Sequence, residues 1–291
     1  MGGRPGKVLP SPPLPIAPRM APMPTLSPAR TLQRGASAWF VAATLGQWAF
    51  VLFILAFFGG HTLTGDLAGL NDKPHVTGYV PWDTFGNLQF IAHAVMGGIV
   101  TFSGTWQLVP ALRRGWPRVH RWNGRLFLVV SLLGAVSGLY LTWVRGSQLG
   151  TGSNVSITLN GLLILAFATL AWRSARRRDF VRHRRHALRA FLLVNGVWFL
   201  RIGIMLAGLV LAPFGVEINY QGMVFVSVSF ASWVLPLAVL ELYLRAERSQ
   251  RAAPRYAMGG LLGVLALVTL AGSAAAVAFM WIPALSPGSA P

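Results

Sequence analysis

The sequence contains no cysteine among its 291 residues, so disulfides, thiolate metal sites and cysteine nucleophiles are excluded. Charged residues are also scarce: they make up 11% of the chain, compared with about 25% in an average soluble domain. Acidic residues are the rarest of these, with 7 against 25 basic ones, whereas 54% of the residues are hydrophobic. A chain of this composition is surrounded mostly by lipid or by its own helices.

Long hydrophobic runs dominate the sequence, and familiar catalytic signatures are missing. There is no Ser-His-Asp arrangement, Walker loop, HExxH motif or dinucleotide-binding fingerprint. Polar segments separate seven apolar runs, at residues 39–58, 85–109, 122–144, 157–172, 188–211, 223–244 and 258–282. A helix needs about 20 residues to cross about 30 Å of hydrocarbon. The pattern predicts an all-α, polytopic transmembrane helix bundle with about seven spans.

The polar segments alternate in charge. All but three of the 25 basic residues lie in four segments: the N-terminal arm, 113–125, 173–189 and 245–255. The alternate segments contain two basic residues and four acidic ones: Lys73, Arg145, Asp66, Asp72, Asp83 and Glu217. Because basic loops stay on the cytoplasmic side, we expect a cytoplasmic N-terminus and an external C-terminus. We expect the net charge of +18 to interact with the lipid bilayer and its anionic lipid headgroups, and not with nucleic acid.

The chain divides into an arm and one membrane domain. Residues 1–37 are rich in proline, serine, glycine and arginine and show no apolar period. Such a segment cannot bury a core, so we expect a disordered cytoplasmic arm, with translation starting at Met1, Met20 or Met23. Residues 38–291 are expected to form a single helical transmembrane domain.

Two ionisable residues lie deep inside the runs, where charge is costly and often functional. His93 shares a helical face with small residues and an amide: Met96, Gly97, Val100, Gly104 and Gln107. Another helix or a flat ligand can approach that face closely, so His93 is either a packing residue or a haem or metal ligand. Arg201 lies near the middle of the fifth run, and no run contains a carboxylate at its depth. It needs helix carbonyls, water or a bound anion as its partner.

The basic segments contain two clusters of histidine and arginine. They lie before the third and the fifth run: His120, Arg121 and Arg125, then His183 and His186. Two neutral imidazoles on one helical face can bind a metal or a haem iron, although the surrounding arginines disfavour a dication. The alternative is anchoring to lipid headgroups. Glu241, the one acidic residue within a run, is expected to pair with Arg189 or Arg125.

These motifs resemble those of a known family. They are Gly104-Thr-Trp-Gln107-Leu-Val-Pro110-x-Leu-Arg113, then Trp116-Pro-Arg-Val-His120-Arg-Trp-Asn-Gly124-Arg125, then Asp179-Phe-x-x-His183-Arg-x-His-x-x-Arg189. The order is similar to an uncharacterised family of bacterial inner-membrane proteins, domain of unknown function 2306, over about residues 87–241. Such proteins often show Trp-Met before the final arginine, where this chain has His186-Ala187-Leu188. The resemblance implies a multi-pass protein of the bacterial inner (cytoplasmic) membrane. It does not indicate an activity.

A looser resemblance, in helix count and in histidines near both membrane faces, is to b-type cytochromes of the cytochrome b561 kind. It implies haem b, with paired axial ligands on facing helices. The inner side offers His120 with His183 or His186, whereas the outer side offers His93 and no second histidine inside a span. Met96 or Met205 is a weaker axial ligand there. The number of histidines available as axial ligands therefore supports one haem more readily than two.

Three functional hypotheses remain open, and no catalytic residue is assigned. The first is a haem-dependent oxidoreductase or redox sensor that moves electrons to a redox partner protein. Its iron ligands would be His93 and His120, and its propionates would be held by Arg201, Arg121 and Arg125. The second is a carrier or channel for a small anion, centred on Arg201 with Asn195, Asn160 and His93 around it. The third is a non-catalytic membrane partner or assembly factor that uses the basic clusters.

Overall fold

The computed structural model describes residues 2, 27–72, 77–147 and 149–285. The described residues are 85% helical and contain no β-strand. Within them, seven helical segments are long and apolar enough to cross a membrane: Pro28–Thr64, Thr84–Gln107, Pro117–Trp143, Gly150–Arg176, Gly196–Phe214, Met223–Arg248 and Ala252–Leu285. This confirms the predicted all-α bundle of seven spans. Which end faces the cytoplasm stays a prediction.

The helices follow one another with short connections. The first half contains α1 (Pro28–Ile54), a π-helical turn (Leu55–Gly59), α2 (Gly60–Thr64), α3 (Thr84–Gln107), α4 (Pro110–Gly115) and α5 (Pro117–Trp143). The second half contains α6 (Gly150–Arg176), α7 (Phe180–Val194), α8 (Gly196–Leu211), α9 (Met223–Arg248), α10 (Ala252–Ala276) and a second π-helical turn (Val277–Trp281). Three short 3₁₀ turns, Ala68–Asn71, Ala212–Phe214 and Pro283–Leu285, lie in or after the loops at one end.

The helix order places like charges at the same end of the bundle. Asp66, Asp83 and Glu217 lie in the loops at one end, which we call the acidic end. The described parts of the four basic segments lie at the opposite, basic end. The alternation read from the sequence is therefore an alternation between the two ends of one bundle.

The long helices pack into a closed ring. Its order is α1, α3, α5, α6, α9, α8 and α10, and α10 packs against α1. These two end helices run in the same direction, and their backbones meet where Gly35 contacts Gly259. A side chain at either position would collide with the other helix, so the close approach depends on glycine.

The helix α7 fills the basic half of this ring. It packs against α6, α9 and α3, and its residues Ala190, Phe191, Leu192 and Leu193 are buried. The chain then bends at Asn195, whose Nδ2 donates to the Phe191 carbonyl at 2.8 Å. Beyond the bend, α8 packs against α9 and α10 at the edge of the bundle. The centre of the acidic half is therefore not filled by a helix.

Two segment boundaries differ from those read from the sequence. The fifth run, expected as one helix over 188–211, is two helices joined by a bend. The first helix begins at Pro28, so ten residues of the expected disordered arm are helical. Leu32 in this part is buried against α10, which supplies a contact that an apolar period cannot reveal. Residues 1 and 3–26, with the three candidate start methionines, lie outside the described residues.

Candidate functional site

The acidic half of the ring contains a cavity of about 1190 Å³. Val100, Val130 and Val194 line its deep part, where the bend between α7 and α8 begins. At the acidic end the lining includes His61 and Asp66, whose Nδ1 and Oδ2 atoms lie 3.0 Å apart. The cavity thus extends from the loops of the acidic end to the middle of the bundle, where α7 begins to fill the ring.

Arg201 lies in the wall of this cavity. It precedes the end of α8 by ten residues, which places it about 15 Å from the acidic end of that helix. Nη1 donates to the Val197 carbonyl at 3.1 Å, and Cζ lies 4.9 Å from the centre of the Phe50 ring. None of the carboxylates described in the structure lies within ion-pair distance of it. The guanidinium therefore faces the cavity without a counterion among the described residues.

His93 and Asn160 line the cavity at a similar depth. They follow the starts of α3 and α6 by nine and ten residues, about 14 and 15 Å. The His93 ring packs on α5, and its Cε1 would lie 3.0 Å from a Cβ on Gly138. Asn160 Nδ2 donates to the Leu193 carbonyl at 3.2 Å. Nδ1 of His93 and Oδ1 of Asn160 are buried without a hydrogen-bond partner in the described part of the chain. Two unsatisfied polar atoms therefore border the cavity that contains Arg201.

Arg145 is a cavity residue that the sequence reasoning counted only as a charge. Its Nε lies 3.1 Å from Asp83 Oδ2, and its Nη2 donates to Asn87 Oδ1 at 2.6 Å. It also donates to the carbonyls of Thr77 and Gly78, at 3.2 and 3.0 Å. One side chain thus joins the turn after α5, the loop before α3 and α3 itself. Its isolation as one of two basic residues in the acidic loops was the signal for this role.

The two predicted iron ligands lie far apart. Gly138, which contacts His93, and His120 are eighteen residues apart on α5, or about 27 Å along its axis. The structure therefore does not bring His93 and His120 onto one metal ion. Among the residues it describes, no three histidine or acidic side chains are grouped so that they could hold a metal.

The remaining predicted histidines lie on α7 near the basic end. His183 Nδ1 lies 3.0 Å from the Ala171 carbonyl of α6. His186 stacks on Phe167 with ring centres 5.9 Å apart, and its Nδ1 is buried without a partner in the described part of the chain. Burial lowers the pKa of His186, and the nearby cations, chiefly Arg189, lower this pKa further. None of these histidines lines the cavity of the acidic half.

The arginines of the basic end have other surroundings. Arg121 and Arg125 are exposed on α5, and Arg125 Cζ lies 4.7 Å from the centre of the Trp122 ring. Neither lines the cavity that contains Arg201. Arg189 forms an ion pair with Glu241 at 2.7 Å, which confirms the expected pairing of this intramembrane carboxylate.

The amino-acid sequence matches one known family. The family described as "Predicted membrane protein (DUF2306)" matches residues 90–244, which are 155 of the 291 residues. The chain belongs to this family. The match runs from within α3 to within α9 and contains His93, Asn160 and Arg201, whereas α1 and α10 lie outside it. No curated protein and no solved structure matches the chain. These comparisons give no support to the resemblance to b-type cytochromes.

The family description identifies a class of membrane proteins and names no ligand or reaction. This DUF2306 protein is a multi-pass membrane protein.

Proposed function

We propose that this DUF2306 protein is a carrier for an organic anion, which binds to Arg201 in the cavity of the acidic half. The observation that carries the proposal is the position of Arg201, a permanent cation in the cavity wall with none of the described carboxylates within ion-pair distance of it. An arginine at the centre of a membrane helix costs about 2.5–3.5 kcal/mol on insertion scales. A bound anion would offset that cost, because a planar guanidinium binds carboxylate or phosphate oxygens in pairs.

The size of the cavity favours an organic ligand over an inorganic ion. Pockets for drug-sized ligands measure about 300–1,000 Å³, and this cavity reaches about 1190 Å³. Apolar side chains, including Met96, Met205 and Leu200, line it together with Arg201 and Asn160. A ligand with one anionic group and an apolar body matches this lining.

The bend at Asn195 favours a carrier over an open channel. The cavity reaches the acidic end, and the packed residues of α7 separate it from the basic end. Broken helices that meet a substrate near the membrane midplane are common in secondary transporters. Release at the basic end would require α7 to move relative to its neighbours.

The first test measures binding of two carboxylates and their uncharged amides. The protein in lipid nanodiscs is titrated with 2-naphthoate and with decahydro-2-naphthoate, each against the corresponding amide, and empty nanodiscs are subtracted. We expect at least one acid to bind more tightly than its amide, and R201Q to lose roughly 10- to 100-fold of that affinity. The matched control is R125Q, which removes the same charge from the exposed surface. Equal binding to wild type and R201Q would overturn the proposal.

A second variant tests the cavity without changing any charge. A Cβ on Gly97 would meet no atom within 4 Å, and Gly97 lines the cavity. A leucine at this position should therefore be tolerated and should narrow the cavity, so G97L should weaken the binding of both acids. The control is G260L, at an equally open position on α10 that does not line the cavity. Uptake of the bound acid into proteoliposomes then shows whether the protein transports the acid or only binds it.

Haem b is the second candidate, and the shared lining of His93, Met96 and Met205 favours it. His93 on α3 and Met205 on α8 would supply the two axial ligands, and Arg201 would hold a propionate; Met96 lies three residues from His93 on the same helix, so these two could not bind opposite faces of one haem. A bound haem would supply one-electron chemistry. The test is an absorption spectrum of the purified protein, expressed with haem precursor, before and after dithionite. Sharp α and β bands that disappear in the H93A variant would support haem, and a flat spectrum would remove it. The partner or assembly role stays a prediction.

A further inference from the structure

We propose that a groove on the outward face of α5 binds one anionic phospholipid at the basic end of the bundle. The site is separate from the cavity of the acidic half and does not depend on the proposed carriage of an anion. It combines arginines that have no carboxylate partner, the first turn of a long helix and an apolar surface that no other helix covers.

The groove lies in the first ten residues of α5 and measures about 590 Å³. Its lining residues repeat at helical spacing and so share one face of the helix: Arg118, Val119, Trp122, Asn123 and Leu126. Val119, Trp122 and Leu126 are 48%, 68% and 47% exposed, so the apolar part of this face is open. Asn123 Nδ2 donates to the Ser103 carbonyl at 2.8 Å, which fixes the groove beside α3.

The arginines around the groove lack acidic partners. Five arginines lie between residues 113 and 125, and the sequence contains no acidic residue over 84–178. In the described part of the chain, none of the five forms an ion pair. Three arginines of α7 differ, because each pairs with a carboxylate: Arg182 with Asp179, Arg184 with Glu247 and Arg189 with Glu241. The start of α5 is therefore an uncompensated positive region that would attract an external anion.

The first turn of α5 adds a second positive element to the groove. The helix begins at Pro117, with no side-chain cap and no acidic residue in its first turn. The first N–H groups of a helix have no intrahelical acceptor and carry a partial positive charge, which favours a phosphate. Arg118 lies in this turn and is exposed, so its guanidinium can bind phosphate oxygens in pairs.

The surface next to the groove fits the rest of a lipid molecule. The outward face of α5 continues toward the acidic end as an apolar stripe of Val129, Leu133 and Val136, which are 42–57% exposed. An acyl chain can lie along this stripe while the phosphate stays at Arg118. The Trp122 ring lies between them, where aromatic side chains meet lipid headgroups.

The charge around the groove selects among phospholipids. Phosphatidylcholine and phosphatidylethanolamine carry a cationic amine beside their phosphate, and the surrounding arginines would repel that amine. Phosphatidylglycerol presents the same phosphodiester without a cation. We therefore expect an anionic phospholipid of this kind, bound as one molecule, in addition to the general attraction of basic loops for anionic membranes.

The first experiment compares two lipids that differ in their headgroup alone. The delipidated full chain is titrated in detergent with dioleoyl phosphatidylglycerol and with dioleoyl phosphatidylcholine, and native mass spectrometry counts the bound molecules. We expect one phosphatidylglycerol to bind roughly 10-fold more tightly than phosphatidylcholine, and R118Q to lose most of this preference. The control is R245Q, which removes an exposed arginine from α9 at the same end of the bundle. Equal binding of the two lipids, or an equal effect of R245Q, would overturn the proposal.

The second experiment fills the groove without changing a charge. V119F/L126F adds two rings to an exposed apolar surface, so this variant should fold and should lose the tightly bound phosphatidylglycerol. V264F/L267F is the matched control, because both side chains are similarly exposed on α10, outside the groove. Thermal unfolding shows whether each variant has folded, and unchanged binding in folded V119F/L126F would contradict the groove as the site. Displacement of the lipid by excess inorganic phosphate would show that the site recognises a phosphate group and not a lipid.

Discussion

The two halves of the bundle accommodate arginine in different ways. In the basic half, Arg189 pairs with Glu241 at 2.7 Å, and Arg184 makes two hydrogen bonds to Glu247, at 2.8 and 2.9 Å. In the acidic half, Arg201 has a helix carbonyl and a phenyl ring beside it and no carboxylate among the described residues. Arg189 and Arg184 are thus paired where α7 fills the ring, whereas Arg201 in the hollow half is not, although Arg145 nearer the acidic end pairs with Asp83. The difference indicates that space for a ligand and an unpaired cation occur together.

The largest expected difference between the halves is access to a water-soluble reagent. Because the chain has no cysteine, a single introduced thiol is the sole target of an anionic methanethiosulfonate. G97C, in the hollow half, should be labelled completely. A190C, at a fully buried position of α7, should stay unlabelled.

The side from which G97C reacts in oriented vesicles also tests topology. Labelling from outside alone would support the predicted external position of the acidic end. Labelling of A190C at the same rate as G97C would show that the basic half is not filled.

The next largest effect concerns packing in the filled half. Phe191 is buried and lies against Phe127 and Gly104, where α3, α5 and α7 meet. Truncation of a phenylalanine in a packed core costs about 3–5 kcal/mol. We therefore expect F191A to lower the melting temperature strongly in detergent. F102A, which truncates a partly exposed ring, should lower it less, and equal effects would argue against a packed basic half.

Smaller effects on the melting temperature, opposite in sign, are expected from replacing the paired Arg189 and the unpaired Arg201. R189Q leaves Glu241 without its cation, so the melting temperature should fall. R201Q removes a desolvated charge that has no counterion among the described residues, so without ligand the melting temperature should stay the same or rise. Differential scanning fluorimetry of both variants shows whether each melting temperature falls or rises relative to wild type. A marked fall in R201Q would indicate a structural role for Arg201.

The smallest expected effect is a pH dependence in the basic half. Burial lowers the pKa of His186 in the folded protein, so the unfolded chain binds more protons near the ordinary histidine pKa of about 6.5. Stability should therefore fall as the pH drops below that value. In H186Q the fall in melting temperature between pH 7 and pH 5 should be shallower. A slope as steep as that of wild type would assign the pH dependence to other groups.

Much of the bundle follows from sequence patterns, because membrane insertion depends on local properties. Apolar length identified the spans, and the alternation of charge grouped their ends. Arg201 and His93 were recognised as candidates because ionisable side chains within lipid are costly. The ion pair of Arg189 with Glu241 was one of two expected pairings, because Arg189 and Arg125 both lay at the depth of this carboxylate.

The bend at Asn195 was not predicted, because residues 188–211 form one apolar run without proline; the one local signal for it was the turn dipeptide Asn195-Gly196. Its cause is a side-chain amide that hydrogen bonds to a helix carbonyl and disturbs the ladder. The start of α1 at Pro28 was missed for a related reason. Contact between glycines such as Gly35 and Gly259 leaves no apolar period in the sequence.

The sequence by itself determined that this is a seven-span membrane protein with unlike charges at its two ends, and that Arg201 requires a partner. These properties depend on composition and order along the chain. Only the tertiary structure decided that α7 fills one half of the ring while α8 leaves the other half hollow. It also decided that Arg201, His93 and Asn160 share one cavity and that His120 lies elsewhere. Helix order in the bundle depends on packing between distant segments, which no local pattern records.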